Sequence, residues 1–218
     1  MVCSNSARHH APMNSPLLLP SSRPPRRSRV ASTTARSAST VHEPIFLDDG
    51  TLLLLRPIAP GDVDALMRAF KRMTPEQVRA RVFHALSELP EPVARSMCRI
   101  DPDHAVALVA TDPNGAEIRG EARVHFDLIT ESAELAIAID PDYTGRGLGR
   151  ILIERLIAAS RAHAMREIWG DTQAGNNAML ALTTRLGFSH RRQSDDATLV
   201  RFQLDLQPVA THLDIVKR

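Results

Sequence analysis

Three glycines at alternate positions, Gly145, Gly147 and Gly149, stand between an apolar run, Ala133 to Ile139, and a segment of helical periodicity opening at Leu148. A glycine-rich turn that feeds a helix presents backbone N–H groups with no partner inside the helix. The helix dipole adds positive potential behind them. That arrangement suits an anion, phosphate above all. A Cβ in the turn would keep a diphosphate away from the backbone, and Arg146 and Arg150 add positive charge on the same turn. Taken alone the pattern is a weak signal, and a plain flexible turn reads equally well. It is not a dinucleotide fingerprint, because Arg150 stands where the last glycine belongs. It is not a P-loop either, because no Lys-Ser/Thr follows the glycines.

A second candidate lies at the head of the apolar run. In an extended strand, Leu135, Ile137 and Ile139 share one face while Glu134, Ala136 and Ala138 share the other. A carboxylate inside an apolar strand is costly unless it is paired or used, and the two alanines leave open space beside it. Such a setting raises a carboxylate pKa and admits a substrate, which is what a general base requires. The competing reading is a strand-end glutamate that reaches solvent or pairs with an arginine. Glu131 is the fallback base.

The elements that must position these groups follow from period and punctuation. Order is expected from about Ile45, with a turn at Asp49-Gly50 and a strand from Thr51 to Ile58. Asp62 opens a helix with Leu66 and Phe70 on one face. Thr74-Pro75-Glu76-Gln77 reads as a capping box with proline at the first helical position, leading into Val78, Val82 and Leu86. A short helix runs from Glu91 to Cys98. Strands are expected at Ala105–Ala110, Glu117–Ile129, Ala133–Ile139, Ile168-Trp169 and Thr198–Leu204, the last with Val200, Phe202 and Leu204 on one face and Arg201 and Gln203 on the other. Helices are expected from Leu148 to about Ala164 and from Asn176 to Leu186, where Gly187 ends the second. Helices interleaved with strands make a mixed α/β or α+β single domain.

The glycine turn resembles the acetyl-CoA-binding motif of the GNAT superfamily of N-acetyltransferases, written Gln/Arg-x-x-Gly-x-Gly/Ala; here the six residues are Thr144-Gly145-Arg146-Gly147-Leu148-Gly149. The resemblance continues in Asn176-Asn177-Ala178-Met179-Leu180 and Arg185-Leu186-Gly187-Phe188. Leu55-Arg56-Pro57-Ile58 and Arg99-Ile100-Asp101 look like the acetyltransferase module of bacterial protein-lysine acetyltransferases that regulate acyl-CoA synthetases. It covers about Thr51 to Leu206. It implies a central twisted, mostly antiparallel sheet of six to seven strands, with the fourth and fifth splayed, flanked by about four helices. In the splay, the pantetheine arm of acetyl-CoA would pair with the backbone of Ile137 and Ile139. The pyrophosphate would rest on the loop amides of Arg146, Gly147, Gly149 and Arg150, with Thr144, Gly145 and Leu148 the remaining cofactor-loop positions, and Asn176 would touch the CoA arm. A helix N-cap is an equal use for Asn176.

The implied activity is transfer of an acetyl group from acetyl-CoA to an amine, a protein lysine by the subgroup resemblance, with Glu134 as base. A lysine amine of pKa ~10.4 is mostly protonated at neutral pH and must lose a proton before it can attack a thioester. Two residues depart from the pattern. Thr144 stands where Gln or Arg is usual, and Thr183 where many members carry a tyrosine that protonates the departing thiolate. A thiolate of pKa ~8.5 can leave without that acid. Competing readings are a non-catalytic acetyl-CoA-binding regulatory module and an acetyltransferase for a small amine or a protein N-terminus. Partners implied are acetyl-CoA and an amine acceptor such as an acyl-CoA synthetase, with neither nucleic acid nor membrane, in a monomer or homodimer.

The bulk numbers agree. A chain of 218 residues carries 27 Lys and Arg against 25 Asp and Glu. Residues 1–42 hold six of those arginines and no acid, so the remainder is net acidic and is not built for nucleic acid. Residues 1–43, rich in Arg, Ser and Pro, are expected to be a disordered extension; the same composition fits an organelle transit peptide. The acetyltransferase domain is expected at 44–207 and a tail at 208–218. Cys3 and Cys98 are the only cysteines, which points to a reducing, cytoplasmic setting rather than a disulfide framework, with Cys98 a buried helix residue. The histidines His84, His104, His125, His163, His190 and His212 lack metal-ligand spacing, so no metal is expected. Asp140 and Asp142 flank the loop and are expected to face solvent. Arg79, Arg81 and Phe83 make the second helix basic, which raises an acidic or phosphorylated partner as a further alternative.

Overall fold

The structure is a computed structural model that describes residues 42–75, 77 and 88–206. Eight strands form one sheet in the order β1-β2-β3-β4-β5-β6-β8-β7: β1 Glu43–Phe46, β2 Leu52–Pro57, β3 Ala105–Thr111, β4 Ile118–Asp127, β5 Ser132–Ile139, β6 Glu167–Gln173, β7 Ser189–Arg192 and β8 Leu199–Asp205. All neighbours are antiparallel except β5 and β6. Four described helices flank it: α1 Val63–Arg72, α2 Glu91–Met97, α3 Leu148–Ala162 and α4 Asn177–Arg185. The count of six to seven strands is therefore corrected to eight. β1 and β7 have only four residues each, and β7 is exposed throughout, so neither carries the apolar alternation that marks a strand in sequence. The splayed pair becomes the fifth and sixth.

Two apolar cores sandwich the sheet. The stripe Leu148, Leu152, Leu156 of α3, widened by Ile153 and Ile157, packs on Ala122 and Val124 of β4 and Leu135 of β5. On the other face Leu66 and Phe70 of α1 meet Ala94 and Met97 of α2 over Ala107 and Val109 of β3. Cys98, the C-terminal cap of α2, is buried there. Desolvation pushes its thiol up to about 11, which leaves it a small apolar residue rather than a nucleophile. The capping box at Thr74 forms in both directions: the Gln77 amide donates to Thr74 Oγ1 at 3.2 Å, and the Thr74 amide donates to Gln77 Oε1 at 2.9 Å. The helix expected beyond it, with Val78, Val82, Leu86, Arg79, Arg81, Phe83 and His84, lies outside the described residues, as do the two tails and His212.

The start of α1 is fixed by charge. Arg56 of β2 donates through both Nη1 and Nη2 to Asp62 at 2.7 Å, and the Ala59 amide donates to the same carboxylate at 2.7 Å. Both side chains are buried. Burial alone would raise the Asp62 pKa; the hydrogen bonds from Arg56 and Ala59 and the Arg56 charge outweigh it, so the value is lowered. A depressed carboxylate stabilises the fold above its unfolded pKa and loses that contribution as pH falls through its folded value. Asp62→Ala strands a buried guanidinium, so it is expected to cost ~3–5 kcal/mol in urea unfolding at pH 7. The difference from wild type should shrink below pH ~4, where Asp62 protonates. A variant as stable as wild type at pH 7 would show that this pair does not hold β2 to α1.

Candidate active site

The site begins where two strands part. β5 and β6 pair at only three positions, Ser132 with Glu167, Ala133 with Ile168 and Glu134 with Trp169, although β5 continues to Ile139 and β6 to Gln173. The Asp140 amide donates to Arg119 O at 2.9 Å on the β4 side. Backbone polar groups alternate along a strand, so those of Leu135, Ile137 and Ile139 point the other way, into the gap. The Ile139 carbonyl on that side accepts from Gln77 Nε2 at 3.0 Å. Gly170 sits where the strands diverge: a Cβ there would lie 2.8 Å from Leu135 O and 2.4 Å from the Phe202 ring, so this close approach admits only glycine.

Glu134 is the last residue of β5 paired with β6 and so stands at the apex of the fork, beside Trp169 on one side and His125 of β4 on the other. The expected facing holds: Leu135, Ile137 and Ile139 pack on the α3 core. Glu134, Ala136 and Ala138 line one continuous cleft of about 1650 Å³. That exceeds the ~300–1,000 Å³ usual for a single small ligand and has room for a long co-substrate with an acceptor beside it. Past the apex, Arg201 of β8 donates to Asp171 through Nε at 3.0 Å and Nη2 at 2.8 Å and lies 4.0 Å over the Trp169 ring. The hydrogen bond to Asp171 first, and then the charges of Asp171, Glu134 and Glu167, raise the Arg201 pKa against its burial. Arg201 is thus a fixed cation within reach of the apex carboxylate. The fallback base, Glu131, lies in the β4–β5 turn with positive φ and pairs with Arg166, away from the cleft.

The glycine loop closes the other end. A short 3-10 turn, Pro141–Tyr143, leads from β5, and Gly147, at φ +87°, is the N-cap residue of α3. No acidic residue stands in the first turn of α3, so its free amides are not opposed from within the helix. Thr144, Gly145, Gly147, Gly149 and Arg150 line the cleft together with Ile137, Ile139 and Asn176. Leu148 is fully buried in the α3 core, and the Arg146 side chain turns away to Asp49, with Nε 2.6 Å from Oδ2; what each can offer a phosphate is its backbone amide, the group the sequence reading assigned at Arg146. Asn176 caps α4, accepting from the Met179 amide at 3.1 Å and donating to Thr172 Oγ1 at 3.1 Å.

Asp140 is also corrected. It is buried and receives Arg72 Nε at 2.7 Å and Arg119 Nη1 at 3.2 Å, so it braces the loop against α1; Asp142 is exposed as expected. Thr183 is wholly buried and 2.7 Å from His190 Nε2, outside the cleft, so its hydroxyl does not enter the cleft. The only tyrosine, Tyr143, lines the cleft with Arg119 and Arg146 each about 5 Å over its ring. His163 stacks on Phe126 at 4.2 Å. Among the described residues no group of three His, Cys, Asp or Glu is placed to hold a metal, and no helix is long and apolar enough to cross a membrane. Sequence reading missed Asp48, Trp169, Asp171 and Gln77 in the cleft; Trp169 and Asp171 had the signal of sharing alternate strand positions with Glu134's partner strand, which needs the register to be used.

A mixed sheet that forks between parallel strands, with a glycine turn into a helix at the fork's mouth, is the fold of acyl-CoA-dependent N-acetyltransferases. The model of the Acetyltransferase (GNAT) family matches residues 64–188, and the chain belongs to that family. It is 30% identical over 162 residues to Acetyltransferase PA5475 of Pseudomonas aeruginosa, covering 73% of this chain and 87% of that one. It is 26% identical over 169 residues to Acetyltransferase Pat of Mycolicibacterium smegmatis, covering 77% of this chain but 50% of that protein. The crystal structure of the GNAT domain of S. lividans PAT superposes with a TM-score of 0.69 at 23% identity, over 76% of this chain and 97% of that one.

The loop geometry has a direct consequence. Gly147→Ala places a side chain at φ +87°, a cost of ~1–2 kcal/mol, and its Cβ would fall 2.7 Å from the Asp48 carboxylate. Asp48 is exposed and can swing away, so the backbone conformation is the larger penalty. The variant is expected to unfold at lower denaturant and to bind acetyl-CoA ~10-fold or more weakly by calorimetry, because reoriented amides lose charge-assisted bonds. Unchanged affinity would show that these amides do not hold the diphosphate.

Proposed function

We propose that this protein is an N-acetyltransferase that moves an acetyl group from acetyl-CoA to a protein lysine by direct attack, with Glu134 as the general base. The observation that supports it is the placing of Glu134 at the apex of the fork, in one cleft with the glycine loop at the mouth. The residues suit the co-substrate. The β5 edge at Ile137 and Ile139 offers backbone groups to an amide-bearing arm, and the amides of Gly147, Leu148, Gly149 and Arg150 suit a diphosphate. Bound acetyl-CoA supplies the acetyl group as a thioester.

Glu134 accepts a proton from the acceptor ammonium, so that a free amine faces the thioester. The fork sets the direction, since a strand edge that guides the pantetheine arm from the loop toward the apex brings its reactive end to Glu134. Pairing with Asp171 keeps Arg201 against the Trp169 ring, so its charge is balanced where a cationic acceptor must approach. No side chain is assigned as the acid; the thiolate, of pKa ~8.5, leaves unaided. The lysine acceptor is supported by the resemblance to protein-lysine acetyltransferases and by carboxylates that line the cleft, Asp127, Asp195 and Asp196 beyond Glu134, which suit an ammonium.

The test is turnover with lysine peptides, a peptide N-terminus and small amines as rival acceptors, after calorimetry with acetyl-CoA. Glu134→Gln should lower turnover on the preferred acceptor by ~10²–10⁴ while leaving acetyl-CoA affinity nearly unchanged. An unaltered rate removes Glu134 from the role. Robust acetylation of an N-terminus with none on lysine moves the acceptor assignment to the α-amine.

A further inference from the structure

Arg146 is the one residue of the loop flanked by two glycines in the left-handed region, Gly145 at φ +71° and Gly147 at φ +87°. A peptide segment between two such pivots has no local reason to hold one orientation. What fixes it comes from the far end of the chain. The turn between β1 and β2 is tight: the Leu47 amide donates to Thr51 O at 2.9 Å, the Gly50 amide to Leu47 O at 2.9 Å, and the Thr51 amide to Asp49 Oδ1 at 3.0 Å. That turn reaches the loop at both backbone and side chain. The Asp48 amide donates to Arg146 O at 3.1 Å. The Arg146 guanidinium uses every nitrogen, with Nε to Asp49 Oδ2 at 2.6 Å, Nη2 to Thr51 Oγ1 at 2.7 Å and Nη1 to Asp142 O at 3.1 Å.

We propose that Asp49 is a positioning residue for acyl-CoA: by holding Arg146 out of the cleft it clamps the Gly145–Gly147 pivots, and so sets the amides that receive the diphosphate. The inference rests on the acetyl-CoA reading above and deepens it. Hydrogen bonds from the Thr51 amide and hydroxyl, and then from Arg146, hold the Asp49 carboxyl down at about 2, so the clamp stays charged throughout the neutral range. The neighbouring acid works in the opposite sense. Asp48 lines the cleft beside Gly147, 3.6 Å from Arg150, and its charge opposes an incoming diphosphate.

The rival account, in which the Arg146 cation itself binds phosphate, predicts the opposite sign, because removing Asp49 would release Arg146 to the ligand. The experiment measures acetyl-CoA affinity by calorimetry, and KM and kcat separately, for the full chain, Asp49→Asn, Arg146→Gln and the double variant, with melting followed in each. The clamp predicts that either single variant weakens affinity and raises KM for acetyl-CoA by about tenfold, a change of about 1.4 kcal/mol. It also predicts that kcat moves less than twofold and that the double variant is no worse than either single one. Thr51→Val, which removes the hydroxyl's contacts to Arg146 and to Asp49, should shift KM the same way by a smaller factor and serves if Asp49→Asn folds poorly. Tighter or unchanged binding by Asp49→Asn, or additive losses in the double variant, overturns the clamp alone. Wild-type protein that binds no acetyl-CoA overturns the functional reading and the clamp together.

Discussion

The parting of β5 from β6 is the constraint on which the rest of the structure depends. A buried strand edge normally satisfies its N–H and C=O groups on its neighbour. Here the ladder stops after Glu134 and Trp169, and the polar edge of Leu135, Ile137 and Ile139 faces a gap. Two features keep that gap open. Gly170 lets β6 cross close to Leu135 O at the apex, and the parallel pairing is too short to draw the strands together again. The antiparallel ladder of eight residue pairs between β4 and β5 holds β5 straight from the other side. The fork is therefore a property of the sheet, and apart from Ile139 O, which Gln77 caps, the β5 edge is left open to a ligand that carries amide groups.

Around that fork most arginines are already engaged by carboxylates. Asp140 takes up Arg72 and Arg119, Asp49 takes up Arg146, and Asp171 takes up Arg201. Each joins elements distant in sequence, and the Asp49 pair removes Arg146, the arginine that the sequence reading had adding charge at the phosphate turn. The Asp49–Arg146 pair is exposed and contributes little to stability; the use of all three is geometric, since multiply bonded guanidinium groups fix the segments they join. Arg150 differs. It is exposed, loosely placed 3.4 Å from Glu154 and 3.6 Å from Asp48, and lies on the first turn of α3. It is the loop arginine that a diphosphate can recruit at least cost.

Much of this was legible in the residues. The alternation of β5 put Glu134 on the face opposite Ile137, the glycine turn announced a helix N-terminus, and the face of α1 that carries Leu66 and Phe70 is the one buried in the core. Those features are local, and period or turn chemistry determines them. What stayed hidden is long-range. Asp49-Gly50 reads correctly as a turn, but nothing in its sequence says that it rests on a residue almost a hundred positions away. Arg146 reads as a phosphate ligand because its neighbours are glycines, and only the fold shows its charge already satisfied. Asp140, in the same way, reads as solvent-facing until α1 brings Arg72 across to it. β1 and β7 escaped because a four-residue strand gains its stability from its partner rather than from its own pattern.

The proposed base at the apex bears on the missing tyrosine. At the position where the family commonly carries a phenol, Thr183 turns inward, bonded to Met179 O at 2.9 Å and beside His190, so α4 packs without sending any acid into the cleft. The demands on the two ends of the reaction are unequal. A lysine ammonium lies some three pKa units above neutrality, and each unit is 1.36 kcal/mol of free energy, so a base at the attacking end has a large barrier term to relieve. A thiolate lies much nearer neutrality and needs little help to depart. On the reading proposed above, a carboxylate fixed where the strands separate stands at the end of the reaction that has most to gain from a base, and the leaving group can be left to the solvent.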